Sequence, residues 1–248
     1  MASAFTVALI GPDGVGKTTI ARRLEREFPL PLKYLYMGDN VEACNVILPT
    51  TRWWKRRQRQ PHPGQPQKQA GSRGGRARLL AGPLHSTRKT LGFVNRILDE
   101  MYREMVAASY TRRGTVVLFD RHFILDYYHG DIDPTARRRS FKRRLHGFLL
   151  CRICRAPDLV VCLDAPGAVV FQRKGEFSVE YLEKRRQQYR EFERLVPHFT
   201  LVDADRDLEA VVHDVARAIS AFQASDRSAS ASSAALLAPG HSREHSHG

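Results

Sequence analysis

The strongest constraint in this sequence is a short apolar run, Phe5-Thr-Val-Ala-Leu-Ile10, that passes without a break into Gly11-Pro-Asp-Gly-Val-Gly-Lys-Thr18. A brief continuous apolar run suits a strand buried on both faces, the state of a strand in a parallel sheet covered by crossover helices. The chain must then turn sharply, and Thr18 to Phe28 reads as a helix. Glycines in such a turn let successive backbone N–H groups converge on anionic oxygens without side-chain clashes. The helix N-terminus adds its partial positive charge.

The turn matches G-x-x-x-x-G-K-[ST], the pattern of a phosphate-cradling loop. Gly11, Asp13, Gly14, Val15, Gly16, Lys17, Thr18 and Thr19 are therefore the candidate set for ATP. Lys17 is expected to neutralise charge on the transferring phosphoryl group, and the Thr18 hydroxyl to be a ligand of Mg²⁺. A second buried strand, Thr115 to Phe119, ends in Asp120-Arg121-His122. A carboxylate at that strand end would emerge near the phosphates, to hold Mg²⁺ or take an acceptor's proton. Arg121 would present a planar fork to phosphate oxygens.

Further strands are predicted at Leu32 to Met37, Asp158 to Leu163 and Phe199 to Val202, with helical patterns between them. Leu91, Val94, Leu98, Met101 and Met105 recur at helical spacing and read as a core stripe. A basic helical stretch is predicted from about Pro134 to Arg155, a helix capped by Ser178 to about Val196, and a last helix ending near Phe222. The alternation predicts an α/β fold of the P-loop NTPase kind: three α/β/α layers around a mainly parallel five-stranded sheet, over residues 1–223. Gly, Pro, Gln and Arg dominate from about Pro49 to Leu84, which predicts a mobile basic insertion at 49–85. Residues 224–248, rich in Ser, Ala and His, read as a disordered tail.

Four segments in order resemble the thymidylate kinase family of nucleoside monophosphate kinases. They are Phe5 to Thr19, Phe119-Asp-Arg-His122, Ala156-Pro-Asp-Leu-Val-Val-Cys-Leu-Asp-Ala-Pro166 followed by Arg173, and Leu201-Val-Asp-Ala-Asp205. The resemblance covers roughly residues 4 to 222. It implies that Lys17, Asp120, Arg121 and Arg173 act at the reaction centre, with Arg173 and Lys174 opening the lid. It implies that Asp13, Arg96 and Arg121 bind the acceptor, dTMP in the family, and that Asp203 to Asp205 lie near the adenine. It also implies that the Leu91–Met105 stripe can serve a homodimer. Two segments depart from the family: Tyr36-Met-Gly-Asp-Asn40 replaces an Arg-Glu-Pro-Gly-Gly type acceptor segment, and the lid, Arg173 to Ser178, is short. Both departures bear on acceptor choice.

With 40 Lys+Arg against 26 Asp+Glu, the formal net charge is +14. That balance attracts phosphorylated small molecules and, as a secondary possibility, nucleic acid through Arg52–Arg59 or Arg137–Arg144. No apolar run approaches the roughly 20 residues that span a bilayer. With no leader pattern at Met1 to Ile10, a soluble, cytoplasmic protein is the expectation. Cys151-x-x-Cys154 lacks the second close pair that a structural zinc site needs, and its thiols read as unreactive.

Overall fold

The computed structural model describes residues 4–38, 40, 43–53, 83–135 and 139–237. Most of the predicted insertion, the end of the predicted tail, and Arg137 and Arg138 lie outside the described residues. The chain runs through β1 (Thr6–Ile10), α1 (Lys17–Glu27), β2 (Leu32–Tyr36), a helical segment α2 over 49–53, and a long α3 (Pro83–Arg112). It continues with β3 (Val116–Asp120), α4 (Phe123–Tyr127), a π-helical turn (Tyr128–Ile132), α5 (Phe141–Ile153) and β4 (Leu159–Asp164). Then come α6 (Gly167–Lys174), α7 (Val179–Arg190), a 3₁₀ turn (Glu191–Arg194), β5 (Phe199–Asp203) and α8 (Leu208–Leu237).

All five strands are parallel, in the order β2-β3-β1-β4-β5. Alternation across the pleat sends successive side chains to opposite faces. Val7, Leu9, Val161 and Leu163 join Ile20 and Leu24 of α1 and Val215 and Ile219 of α8 in one cluster. On the other face Ala8, Ile10, Val160 and Cys162 join Tyr189 and Phe192, while Val117 and Phe119 join Ala107 and Leu150. With both faces covered, β1, β3 and β4 are apolar apart from Thr6, Asp120 and Asp164 at their ends, as the sequence pattern implies. Each fully buried Leu or Ile here contributes about 1.5–3 kcal/mol. Pairing of Leu9 with Asp120 and of Ile10 with Cys162 brings the C-terminal ends of β1, β3 and β4 to one edge. Ligands of open α/β sheets bind at such an edge.

Four expectations need correction. The α3 stripe is not core: Leu91, Val94, Leu98, Met101 and Met105 are all exposed. The face that α3 turns inward carries Asp99, Glu100, Arg103 and Ala107, because the charged groups find partners there. Asp99 accepts from the Leu48 backbone N–H at 2.8 Å, and Arg103 donates to the Gly38 carbonyl at 2.9 Å. In the basic stretch α5 begins at Phe141, where Ser140 accepts from the Arg143 N–H at 3.4 Å, and among the described residues Pro134, Thr135 and Arg139 are not helical. The helix after Ser178 gives way at Arg190 to the 3₁₀ turn. The last helix continues through the Ser/Ala-rich stretch to Leu237, which holds no Gly or Pro and carries the best helix former, alanine. Among the described residues no helix is long and apolar enough to cross a membrane.

Candidate functional site

Where β1 ends, the chain turns through Gly11 to Gly16 into α1. Gly11 has φ 141°, and a Cβ there would meet the Leu163 carbonyl oxygen at 2.5 Å, so only glycine lets the loop lie against β4. Gly16, at φ 102°, is the N-cap of α1 and supplies no side chain to the first-turn N–H groups. No acidic residue stands in that turn either. The terminus is thus an open set of donors with a positive dipole end, a ready anion site. Val15 is buried beneath the loop, and Thr19 is exposed on the first turn.

Lys17 is only 6% exposed. Its Nζ donates to the carbonyls of Gly11 at 2.7 Å and Pro12 at 2.8 Å, and lies 3.8 Å from Asp13. Burial, reinforced by the nearby Arg121, lowers its pKa to about 8, against the pull of Asp13, Asp120 and Asp126. An ammonium held so close to neutrality gains much from an anion at the loop.

Asp120 is fully buried at the end of β3. Its Oδ2 accepts from the Thr18 hydroxyl at 2.5 Å and from the Tyr34 hydroxyl at 3.3 Å. Its Oδ1 has no hydrogen-bond partner among the described residues. A buried carboxylate oxygen without a donor is costly unless something else completes it. A hard cation fits: Mg²⁺ takes carboxylate and hydroxyl oxygens and keeps further positions for water and phosphate.

Arg121 follows with φ 70°, a conformation that a bulky residue adopts only when its surroundings impose it. Its N–H extends the ladder to the Leu9 carbonyl at 3.2 Å. Its guanidinium bonds the Asp13 carboxylate and lies 3.6 Å from Asp126. The Tyr189 hydroxyl donates to Asp126 at 3.2 Å, and Arg185 donates to the Tyr189 oxygen at 2.7 Å. Burial pushes the Asp126 carboxyl up, with Arg121 the main cation pulling it back. His122, fully buried with its ring edge against Phe119, is held neutral by burial at a pKa of about 4. It packs; it does not titrate near neutrality.

Lys17, Thr18, Asp13, Asp120 and Arg121 therefore converge at one edge of the sheet. The other predicted residues are engaged elsewhere. Arg173 donates to the Ala204 carbonyl at 2.9 Å and lies 3.8 Å from Asp205, which ties the end of α6 to the loop after β5. Its neighbour Lys174 is the one beside the glycine loop, where a Cβ on Gly14 would meet the Lys174 Cβ at 3.1 Å. Arg96 donates to Glu100 at 3.0 Å and lies over the Tyr127 ring at 4.4 Å. Glu100 in turn is 3.2 Å from His146, itself 2.6 Å from Asp131, a buried network that packs α3 on α5. Parts of the basic run serve the same packing: Arg139 donates to the Asp131 carbonyl at 2.6 Å, and Lys142 lies over the Phe93 ring at 5.0 Å.

Sequence reasoning missed Tyr34, Asp126, Tyr189 and Arg185, which stand in no motif and meet the site only through folding. It also missed the bidentate pair of Arg186 with Asp164, at 2.7 and 2.8 Å, which clamps α7 to the end of β4 and holds the Asp164 carboxyl below its usual range. The strand-end position of Asp164 was a usable signal. Two broad clefts, of about 990 and 800 Å³, lie under the strand starts between α3 and α5 and along β5 against α8. Neither is lined by Lys17, Asp120 or Arg121, and the convergence of charged groups with an orphaned oxygen is the better guide. The chain matches no family model and no curated protein sequence.

Proposed function

We propose that this protein transfers the γ-phosphoryl group of ATP, with Mg²⁺, to a small phosphate-bearing acceptor, a nucleoside monophosphate with dTMP the first candidate. The observation that carries this reading is the pairing of Thr18 with Asp120, whose second oxygen is orphaned, beside the uncapped N-terminus of α1 and Lys17. Thr18 and Asp120 would hold Mg²⁺, which when bound supplies positive charge to the phosphate oxygens. The α1 amides and Lys17, released from its loop carbonyls, bind and neutralise the polyphosphate. Arg121 exchanges Asp13 for phosphate oxygens. Asp13 is then free for the acceptor's sugar, as the thymidylate kinase resemblance implies. A phosphate acceptor is already nucleophilic, so positioning and charge supply most of the rate.

Asp126 favours one second reading. A buried carboxyl with a raised pKa beside Arg121 suits an acceptor hydroxyl that must lose a proton. An acceptor panel decides. With ATP and Mg²⁺, stoichiometric ADP formation is expected with a nucleoside monophosphate. ADP formed only with nucleosides or sugars moves the assignment to the second reading. ADP formed only with DNA or RNA, or no turnover with any acceptor, removes both.

The lowered Lys17 pKa adds a pH prediction. Phosphate oxygens restore the ammonium, so the complex holds more protons than the free protein above about pH 8. Nucleotide affinity is expected to be flat near neutrality. It should then fall by up to about tenfold per pH unit from pH 8 up to the pKa of the complex. Calorimetry at about pH 8.5 in two buffers of different ionisation enthalpy reads this as proton uptake. Equal heats in both buffers exclude it.

A further inference from the structure

The paired cysteines at the end of α5 belong to no part of the proposed transferase site, and the structure gives them an asymmetry that their spacing alone does not reveal. Cys151 is exposed on the last turn of α5, whereas Cys154 is buried at 6% exposure. Cys154 is the residue at which the chain leaves the helix: its N–H still donates to the Leu150 carbonyl at 2.8 Å, but its own backbone is extended, at φ −87° and ψ 133°. One helical turn therefore separates the two. Helix geometry places Cα atoms three residues apart at about 5 Å, inside the roughly 4.4–6.8 Å that a disulfide spans. Neither thiol is bonded to another cysteine.

The buried member has a carboxyl partner. Glu104 of α3 lines one cleft with Ile153 and Arg155, the residues on either side of Cys154, and its Oε1 has no hydrogen-bond partner among the described residues. Arg152 stands between the two cysteines, with its guanidinium over the Phe148 ring at 5.0 Å, and Arg155 follows Cys154. An exposed thiol, a buried thiol one turn on, and a half-buried carboxyl in the cleft beside the second make up a nucleophile, a resolving group and its proton acceptor.

We propose that Cys151 and Cys154 form a reversible dithiol–disulfide site that reacts with small-molecule disulfides, Glu104 taking the proton from Cys154. In the first step the Cys151 thiolate attacks one sulfur of the reagent disulfide. A mixed disulfide forms at Cys151, and the reagent's other half leaves as a thiolate that takes up the proton Cys151 released. In the second step Cys154 gives its proton to Glu104, and its sulfur attacks the Cys151 sulfur. The Cys151–Cys154 bond forms, and the remaining reagent half leaves as a thiolate, protonated from solvent. Two protein thiols are oxidised, and one reagent disulfide is reduced to two thiols. Burial pushes the Cys154 thiol well above its ordinary range and lifts Glu104 to about 7, so the thiol needs a base and Glu104 is poised to act as one near neutrality.

The test uses the full chain with oxidised glutathione, quenched by alkylation and read by peptide mass. Wild type is expected to lose two hydrogens across Cys151 and Cys154 and to recover both thiols with dithiothreitol, while buried Cys44 and Cys162 stay unmodified. Cys154→Ser should stop at a stable glutathione adduct on Cys151, and Cys151→Ser should give no adduct at all. Glu104→Gln should form the adduct at the wild-type rate but resolve it at least about tenfold more slowly. A persistent adduct on wild-type Cys151, or no reaction there, overturns the pair. Resolution at an unchanged rate in Glu104→Gln overturns the role of Glu104.

Discussion

Lys17→Ala is expected to lower ATP turnover by at least about a hundredfold while leaving the protein folded. Two structural facts set that size. The Lys17 Nζ is the only side-chain amine that the loop Gly11–Gly16 wraps with its own carbonyls, Gly11 and Pro12, among the described residues. It is also buried enough to have its pKa lowered to about 8. A cation in that low-dielectric position gains far more from a charged phosphoryl group than a solvated lysine would. Stability should change little, because the variant gives up two hydrogen bonds but also removes a poorly solvated charge. Lys17→Met, which keeps most of the side-chain volume, guards against a cavity effect. The measurements are coupled-assay turnover together with thermal melting. Turnover within about threefold of wild type, in a folded variant, would remove Lys17 from the reaction centre.

Arg121→Ala should cost about a hundredfold in kcat, with a smaller effect on the KM for ATP. The guanidinium is poised rather than committed. It is held between the half-exposed Asp13 and the more buried Asp126 by a backbone at φ 70°, and an incoming phosphate can replace Asp13. An interaction made chiefly in the transition state lowers kcat, whereas uniform binding raises KM. Arg121→Lys should restore little, because an ammonium cannot present two parallel donors. A kcat loss below about threefold, or a loss confined to KM, sinks the transition-state role. Asp126→Asn offers an internal control. It frees Arg121 from one anchor without removing the fork, so it should perturb turnover less than Arg121→Ala if the acceptor is a phosphate.

The strands and the glycine loop were legible because their signals are local. A run such as Val116–Asp120 or Leu159–Asp164 can be buried on both faces only in a covered parallel sheet, and Gly11 to Thr18 needs no distant residue to turn into a helix. The pairing of Thr18 with Asp120 was half legible. Each residue was readable as a strand-end or loop donor, but their meeting depends on β1 and β3 lying side by side in register, with Leu9 opposite Asp120.

What the sequence by itself determined is the five strands, the parallel sheet they imply and the loop that can cradle an anion, since periodicity and glycine placement act through neighbours along the chain. What the tertiary structure alone decided is which face goes inside and which charges meet. On α3 the apolar stripe from Leu91 to Met105 obeys helical spacing yet faces outward, while Asp99, Glu100 and Arg103 are buried. The physical reason is that periodicity tells where a face is, but only partners supplied from other elements tell whether burying it is favourable. The Leu48 N–H, the Gly38 carbonyl and His146 made the polar side of α3 the one that goes in. By the same logic Arg96, Arg173 and the Arg121–Asp126–Tyr189 chain took positions that no spacing rule contains.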